Sequence, residues 1–77
     1  MSENNNGWIK CSEKLPAIFN HKGVMRSDVV IGFGKEESDD ATTYIFVYLV
    51  GGNRFYSENG ECYKITHWQP LPAPPQE

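Results

Sequence analysis

The sequence predicts a mostly β fold, a small single-domain antiparallel β-meander, and three observations carry that reading. Seven of the eight residues Thr43–Val50 are β-branched or aromatic, the composition of a strand covered on both faces. Gly51-Gly52 and Asn59-Gly60 then punctuate the chain at the spacing of hairpin turns. No apolar repeat of about 3.6 residues lasts long enough to make a helix. A chain of 77 residues has room for one domain. The expected division is a disordered N-terminus over 1–7, one β-rich domain over 8–72 with an irregular N-terminal segment, and a flexible proline-rich C-terminal tail over 73–77.

Taken in order, Met1–Gly7 is polar and Asn-rich, and Trp8-Ile9 is the first apolar anchor. Ser12–Pro16 reads as a short turn, because Pro16 disfavours helix at Leu15. Asn20–Gly23 carries turn residues. The first predicted strand is Asp28–Phe33, where Val29, Ile31 and Phe33 alternate with Asp28, Val30 and Gly32. Gly32 marks a bulge or a close approach. Gly34–Asp40 is a solvated connection and Thr43–Val50 the central strand. A turn at Gly51-Gly52, extended by Asn53, leads to a strand at Arg54–Ser57. Asn59-Gly60 suits a type I′ turn, which needs positive φ at both central residues, and Cys62–Trp68 is the last strand. Gln69–Pro75 holds four of the five prolines; it is expected to leave the sheet and favour polyproline II.

Charge and composition exclude several classes. Two Trp, four Tyr and four Phe are too many rings for a disordered chain. The longest apolar run, Tyr44–Val50, is seven residues, against the roughly 20 that cross a membrane as a helix. Met1–Asn6 lacks the character of a signal peptide, so no membrane or targeting role is expected. The net charge of -3 is concentrated in Lys35–Asp40, where Lys35 stands with Glu36, Glu37, Asp39 and Asp40, and the rest of the chain is neutral. Lys10, Lys14, Lys22, Arg26, Lys35, Arg54 and Lys64 are dispersed, without the basic run that drives nucleic-acid binding, so nucleic acid is not an expected partner.

The chemistry-bearing residues are few. Cys11 and Cys62 are expected to be reduced thiols. With His21 and His67 they lack the close ligand pairs of a zinc site, and no cofactor or metal is expected. Cys62 and His67, five apart in a regular strand, fall on opposite faces and make no nucleophile–base pair. Gly32-x-Gly34 lacks the third glycine and the helix of a nucleotide fingerprint, and catalysis is not expected. Pro72 and Pro75 satisfy P-x-x-P, yet no Arg or Lys flanks them, so a stiff tail packed on its own domain is preferred to an SH3-type ligand. His67 is expected to donate a ring N–H to a backbone carbonyl, in preference to stacking on a base or sensing pH.

The two ends together carry a resemblance. Trp8-Ile9-x-x-Ser12-Glu13-x-Leu15-Pro16 and Ile65-Thr66-His67-Trp68-x-Pro70-Leu71-Pro72-x-Pro74-Pro75 resemble the motifs of a domain-of-unknown-function family (number 551) of small phage and prophage proteins. The resemblance spans Trp8–Pro75 and implies a bacterial or phage origin and a cytoplasmic setting; it carries over no activity and no catalytic residue.

The expected function is therefore binding: a phage accessory protein that docks on a host bacterial protein, as an inhibitor of a defence or metabolic protein. Glu36, Glu37, Asp39 and Asp40 would steer it to a basic surface. The alternatives are an oligomer that holds a nucleotide-like small molecule between rings, and a structural or assembly protein. A homodimer is expected because the sheet has two edges and an apolar central strand. Trp8, Ile9, Leu15, Pro16, His67, Trp68, Pro70 and Leu71 are expected to form one apolar cap.

Overall fold

β-branched and aromatic residues make Thr43–Val50 (β5) the longest strand, and the other strands assemble around it. The computed structural model describes residues 7–72 and Pro75, so Met1–Asn6 of the expected disordered N-terminus, and all of the 73–77 tail except Pro75, lie outside the described residues. The strands before β5 are β1 (Ile9–Lys10), β2 (Phe19–His21), β3 (Val24–Arg26) and β4 (Val30–Lys35). Those after it are β6 (Arg54–Ser57), β7 (Gly60–Glu61) and β8 (Lys64–Pro70). All pairings are antiparallel, and among the described residues there is no helix. It follows that no helix is long and apolar enough to cross a membrane.

β4 through β7 run as the expected meander. β4 pairs with the first half of β5, from Gly34↔Thr43 to Val30↔Val47. β6 pairs with the second half across a turn in which Gly52 and Asn53 take positive φ, 86° and 62°. The next turn is centred one residue earlier than expected, on Glu58-Asn59: Ser57 faces Gly60, and only Gly60 has positive φ. β8 then leaves the meander and returns to the free side of β4, with β1 outside it, giving the order β1-β8-β4-β5. It also continues to Pro70, which faces Val30 at the strand's end, so the proline tail leaves the sheet later than expected.

The segment expected to be irregular is a hairpin. β2 and β3 pair from Phe19↔Arg26 to His21↔Val24 around Lys22-Gly23, whose φ values of 55° and 92° suit a type I′ turn. The Gly23 amide donates to Asn20 Oδ1 at 2.7 Å. Two-residue turns of this kind are short signals, and flanking strands of three residues lack a visible alternation.

β3 joins the same edge of β5 that β4 uses, beyond the end of β4, through Arg26↔Val50. Ser27 makes the splice. Its amide donates to the Leu49 carbonyl at 2.8 Å, and its buried hydroxyl accepts from the Leu49 amide at 2.9 Å while donating to the Asp28 carbonyl at 2.7 Å. The side chain thus replaces a rung of the ladder where the backbone changes direction.

The core lies on the inner face of this curled sheet and comprises Val30, Val47, Leu49, Phe55, Cys62, Ile65 and Trp68. β4 is set one residue off the expected register. Val30, Gly32 and Gly34 face inward, whereas Ile31 and Phe33 lie on the half-exposed outer side and Val29 is exposed. The reason is space: a Cβ on Gly32 would stand 2.8 Å from Val47 Cγ2 and 3.1 Å from Ile65 Cγ2. Ser27→Ala should strand the Leu49 amide and lower stability by about 1–3 kcal/mol in urea unfolding; an unchanged midpoint would refute the splice.

Candidate functional site

Register decides which side chains share a face. β4 and β8 pair as Phe33↔His67 and then Gly34↔Ile65, so Thr66 is an extra residue on β8. This bulge lets Ile65 and Trp68, three apart, both point into the core while His67 lies on the outer face against Phe33. A Cβ on Gly34 would overlap the Lys64 carbonyl, so the close approach needs glycine.

Directly opposed residues lie on one face of a sheet. The register therefore gives an outer row Lys10–His67–Phe33–Tyr44 across β1, β8, β4 and β5. Beside it Ile31 faces Phe46, and Lys35 faces Lys64. Trp8 joins the row from before β1: its ring stacks on Tyr44 (6.0 Å between centroids, 20° between planes) and tilts against Phe33 at 6.0 Å. Phe33 and Tyr44 are 5.4 Å apart. Along β5 the same face continues through Tyr48, which stacks on Tyr56 at 6.2 Å and carries the Arg26 guanidinium 5.0 Å above its ring. Arg54, opposite Val50, ends it. Tyr44 and Phe46 are 67% and 65% exposed, which is unusual for rings this size in the middle of a sheet. Trp8, Phe33, Tyr44 and His67 line an open hollow of about 190 Å³.

The imidazole at that hollow is held by its neighbour. Thr66 Oγ1 lies 2.8 Å from His67 Nδ1 and 3.2 Å from the Phe33 carbonyl, so the hydroxyl bridges the ring to the backbone of β4. The backbone-carbonyl partner expected for His67 is replaced by this hydroxyl. The four strands β1, β8, β4 and β5 contain three charged residues, Lys10, Lys35 and Lys64, all cationic and all on the outer face.

The motif ends meet, but not as one cap. Ile9 and Trp68 are register partners, with Ile9, Leu15 and Trp68 packed in or against the core and Pro16 buried. The Trp68 Nε1–H donates to the Lys14 carbonyl at 2.8 Å. Strand alternation sends Trp8 and His67 to the other side, and Pro70 and Leu71 are exposed on the rim. The acidic residues also divide. Glu36 is half-buried, accepting from the Ser57 hydroxyl at 2.7 Å and from the Asn59 side-chain amide at 3.3 Å, while its carbonyl accepts from the Tyr63 amide. Asp40 Oδ2 accepts from the Glu37 amide at 3.1 Å and closes the turn. Glu37 and Asp39 are exposed. Glu36 is thus a fastening between β4 and the β6–β7 hairpin.

The thiols stand apart from the imidazoles. Cys62 is in the core, across the sheet from His67, and His21 lies on the β2–β3 hairpin 3.7 Å from Asp28. Among the described residues no three His, Cys, Asp or Glu side chains converge as metal ligands would. Burial pushes both the Cys11 and Cys62 thiols up, Cys62 against the opposing hydrogen bond of Ser57 and with the help of Glu36 and Glu61.

The outer rings and their cations are the part of the site that the sequence reading missed. Tyr44, Phe46 and Tyr48 alternate with Ile45, Val47 and Leu49, a period of two that separates the faces. The lysines have no such signal, since only cross-strand register gathers them.

A family model described as "Protein of unknown function (DUF551)" matches residues 7–76. No curated protein and no solved structure matches the chain.

Trp68→Ala should cost about 3 kcal/mol or more in urea unfolding, as buried ring truncations do, and Trp8→Ala markedly less; equal losses would contradict the division between faces. Both thiols should react with iodoacetamide far more slowly in the folded than in the urea-unfolded protein at pH 8, because the raised values keep them protonated there; equal rates would contradict the burial effect.

Proposed function

The chain belongs to the DUF551 family of proteins of unknown function, and we propose that it is a non-catalytic binding module acting through the outer face of β1, β8, β4 and β5. The observation that carries this reading is the exposure of Tyr44 and Phe46, beside Trp8, Phe33 and His67, in a chain with little apolar surface to spare. A ring left two-thirds in water contributes little to its own fold, so its retention points to a partner. The absence of an activated thiol supports binding over nucleophilic chemistry: both cysteines are shifted toward the protonated form.

A host bacterial protein, a nucleotide-like small molecule and an assembly component are the partner classes expected from the sequence. Of the acids expected to steer, Glu36 and Asp40 also accept hydrogen bonds within the molecule, and Glu37 and Asp39 are exposed. The geometry favours a partner that presents flat rings or apolar groups together with negative charge, since the charged residues within β1, β8, β4 and β5 are all lysines.

The test is native mass spectrometry of the full chain recovered from bacterial lysate, with Tyr44→Ser/Phe46→Ser as comparison. A partner mass on the wild type that is lost from a folded double variant is expected. No retained partner, or the same partner on both proteins, would overturn the proposal.

A further inference from the structure

We infer that the outer face binds single-stranded nucleic acid, with bases stacked on its rings and phosphates held by its lysines. The inference rests on the reading of this face as the binding surface, and names its ligand.

The rings come first. Phe33 and Tyr44 are cross-strand neighbours near the centre of the sheet, with Trp8 against both and Phe46 two residues along β5. Strands stand about 4.8 Å apart, so β1 to β5 span roughly 14 Å, the room that two or three bases need on a sheet. Stacking on such rings tolerates any base, because every base has a π-face.

The charges fit the same ligand. Lys10 lies at one end of the ring row, and Lys35 and Lys64 oppose each other beside it. Arg26 and Arg54 extend the positive side along Tyr48 and Val50. The acids at the margin are Glu37, Asp39 and Asp40 in the turn after Lys35, and Glu61 opposite Tyr56. None of these acids lies in β1, β8, β4 or β5. Dispersion along the sequence, which argues against a basic run, is undone by register.

His67 adds a polar handle. Its imidazole, hydrogen-bonded through Nδ1 to the Thr66 hydroxyl, borders the hollow beside Trp8, Phe33 and Tyr44. A base edge or a ribose 2′-hydroxyl can hydrogen-bond to it. A duplex hides its base faces, and the described residues include no helix to enter a groove. A second copy of the chain laid face to face would bring no opposite charge to Lys10, Lys35 and Lys64 from these four strands.

The experiment is fluorescence anisotropy of labelled oligo(dT) and oligo(U), each of about twelve nucleotides, titrated with the full chain at about 50 mM and about 200 mM salt. Binding that weakens with salt is expected, as is at least a tenfold loss in Tyr44→Ala/Phe46→Ala with an unchanged unfolding midpoint. The variant Lys10→Gln/Lys35→Gln/Lys64→Gln should flatten the logarithmic salt slope by about 2, from about 0.7 per single-strand phosphate released. No binding at about 100 µM protein, equal binding to a duplex of the same length, or unaltered binding by both folded variants would overturn the inference. If the oligonucleotides fail while the ring variant loses a captured protein, loses binding to anionic vesicles, or breaks a dimer seen in sedimentation, the ligand is wrong and the face stands. If that variant changes nothing in any assay, both fail.

Discussion

The structure depends on how closely β8 and β5 approach each other across β4. The strand between them offers Gly32 and Gly34 to the interior, and Val47 and Ile65 occupy the space where side chains of β4 would otherwise stand. A methyl on Gly32 would press on both neighbours, and one on Gly34 would strike the backbone of β8. At that same contact β8 inserts Thr66, and the insertion resets the alternation of the strand. Without it, Ile65 and Trp68 would point to opposite sides, and either the core would lose one of its seven apolar members or the outer face would lose His67. Interior and exterior are therefore set by one local irregularity. The hydroxyl of the inserted Thr66 also fixes the His67 ring, so the device that completes the core prepares the surface as well.

Legibility followed the strength of each local signal. β5 was plain because seven β-branched or aromatic residues in eight leave no other element to form, and the turn at Gly51–Asn53 followed from residues tolerant of positive φ. β4 was found but misread by one residue. Alternation put Val29, Ile31 and Phe33 inside because they are the larger side chains, whereas the tight approach of β8 admits only the glycine side. The β2–β3 hairpin and the splice at Ser27 escaped because each rests on two or three residues whose roles appear only once β5 is in place. The return of β8 to β4 is a pairing across about thirty residues, which no local pattern reports.

The motif ends were legible as a meeting point and not as a cap. Ile9 and Trp68 pair as apolar residues at two distant positions suggest, and Trp68 also holds the Lys14 carbonyl. A β-strand, though, cannot turn two consecutive side chains the same way. Trp8 therefore leaves the side that Ile9 enters, and becomes part of the ring row on Phe33 and Tyr44. In a domain this small, a tryptophan spent outside the core is unexpected on stability grounds alone. Departures of this kind from a purely stabilising arrangement are where binding surfaces are found.

The charge of the whole molecule and the charge of this face have opposite signs, and distance decides which one a ligand meets. The net charge is -3, with four of the ten acids in the turn between β4 and β5. At physiological salt the screening length is about 8 Å, well below the 26 Å of the molecule's smallest dimension. Lys10, Lys35 and Lys64 stand on the outer face itself, Glu37, Asp39, Asp40 and Glu61 stand at its margin, and only charges farther off than this length are screened from it. Glu36, the acid nearest Lys35 in sequence, has its carboxylate engaged by Ser57 and Asn59. Local register, and not overall composition, thus sets the electrostatic character of the surface that carries the rings.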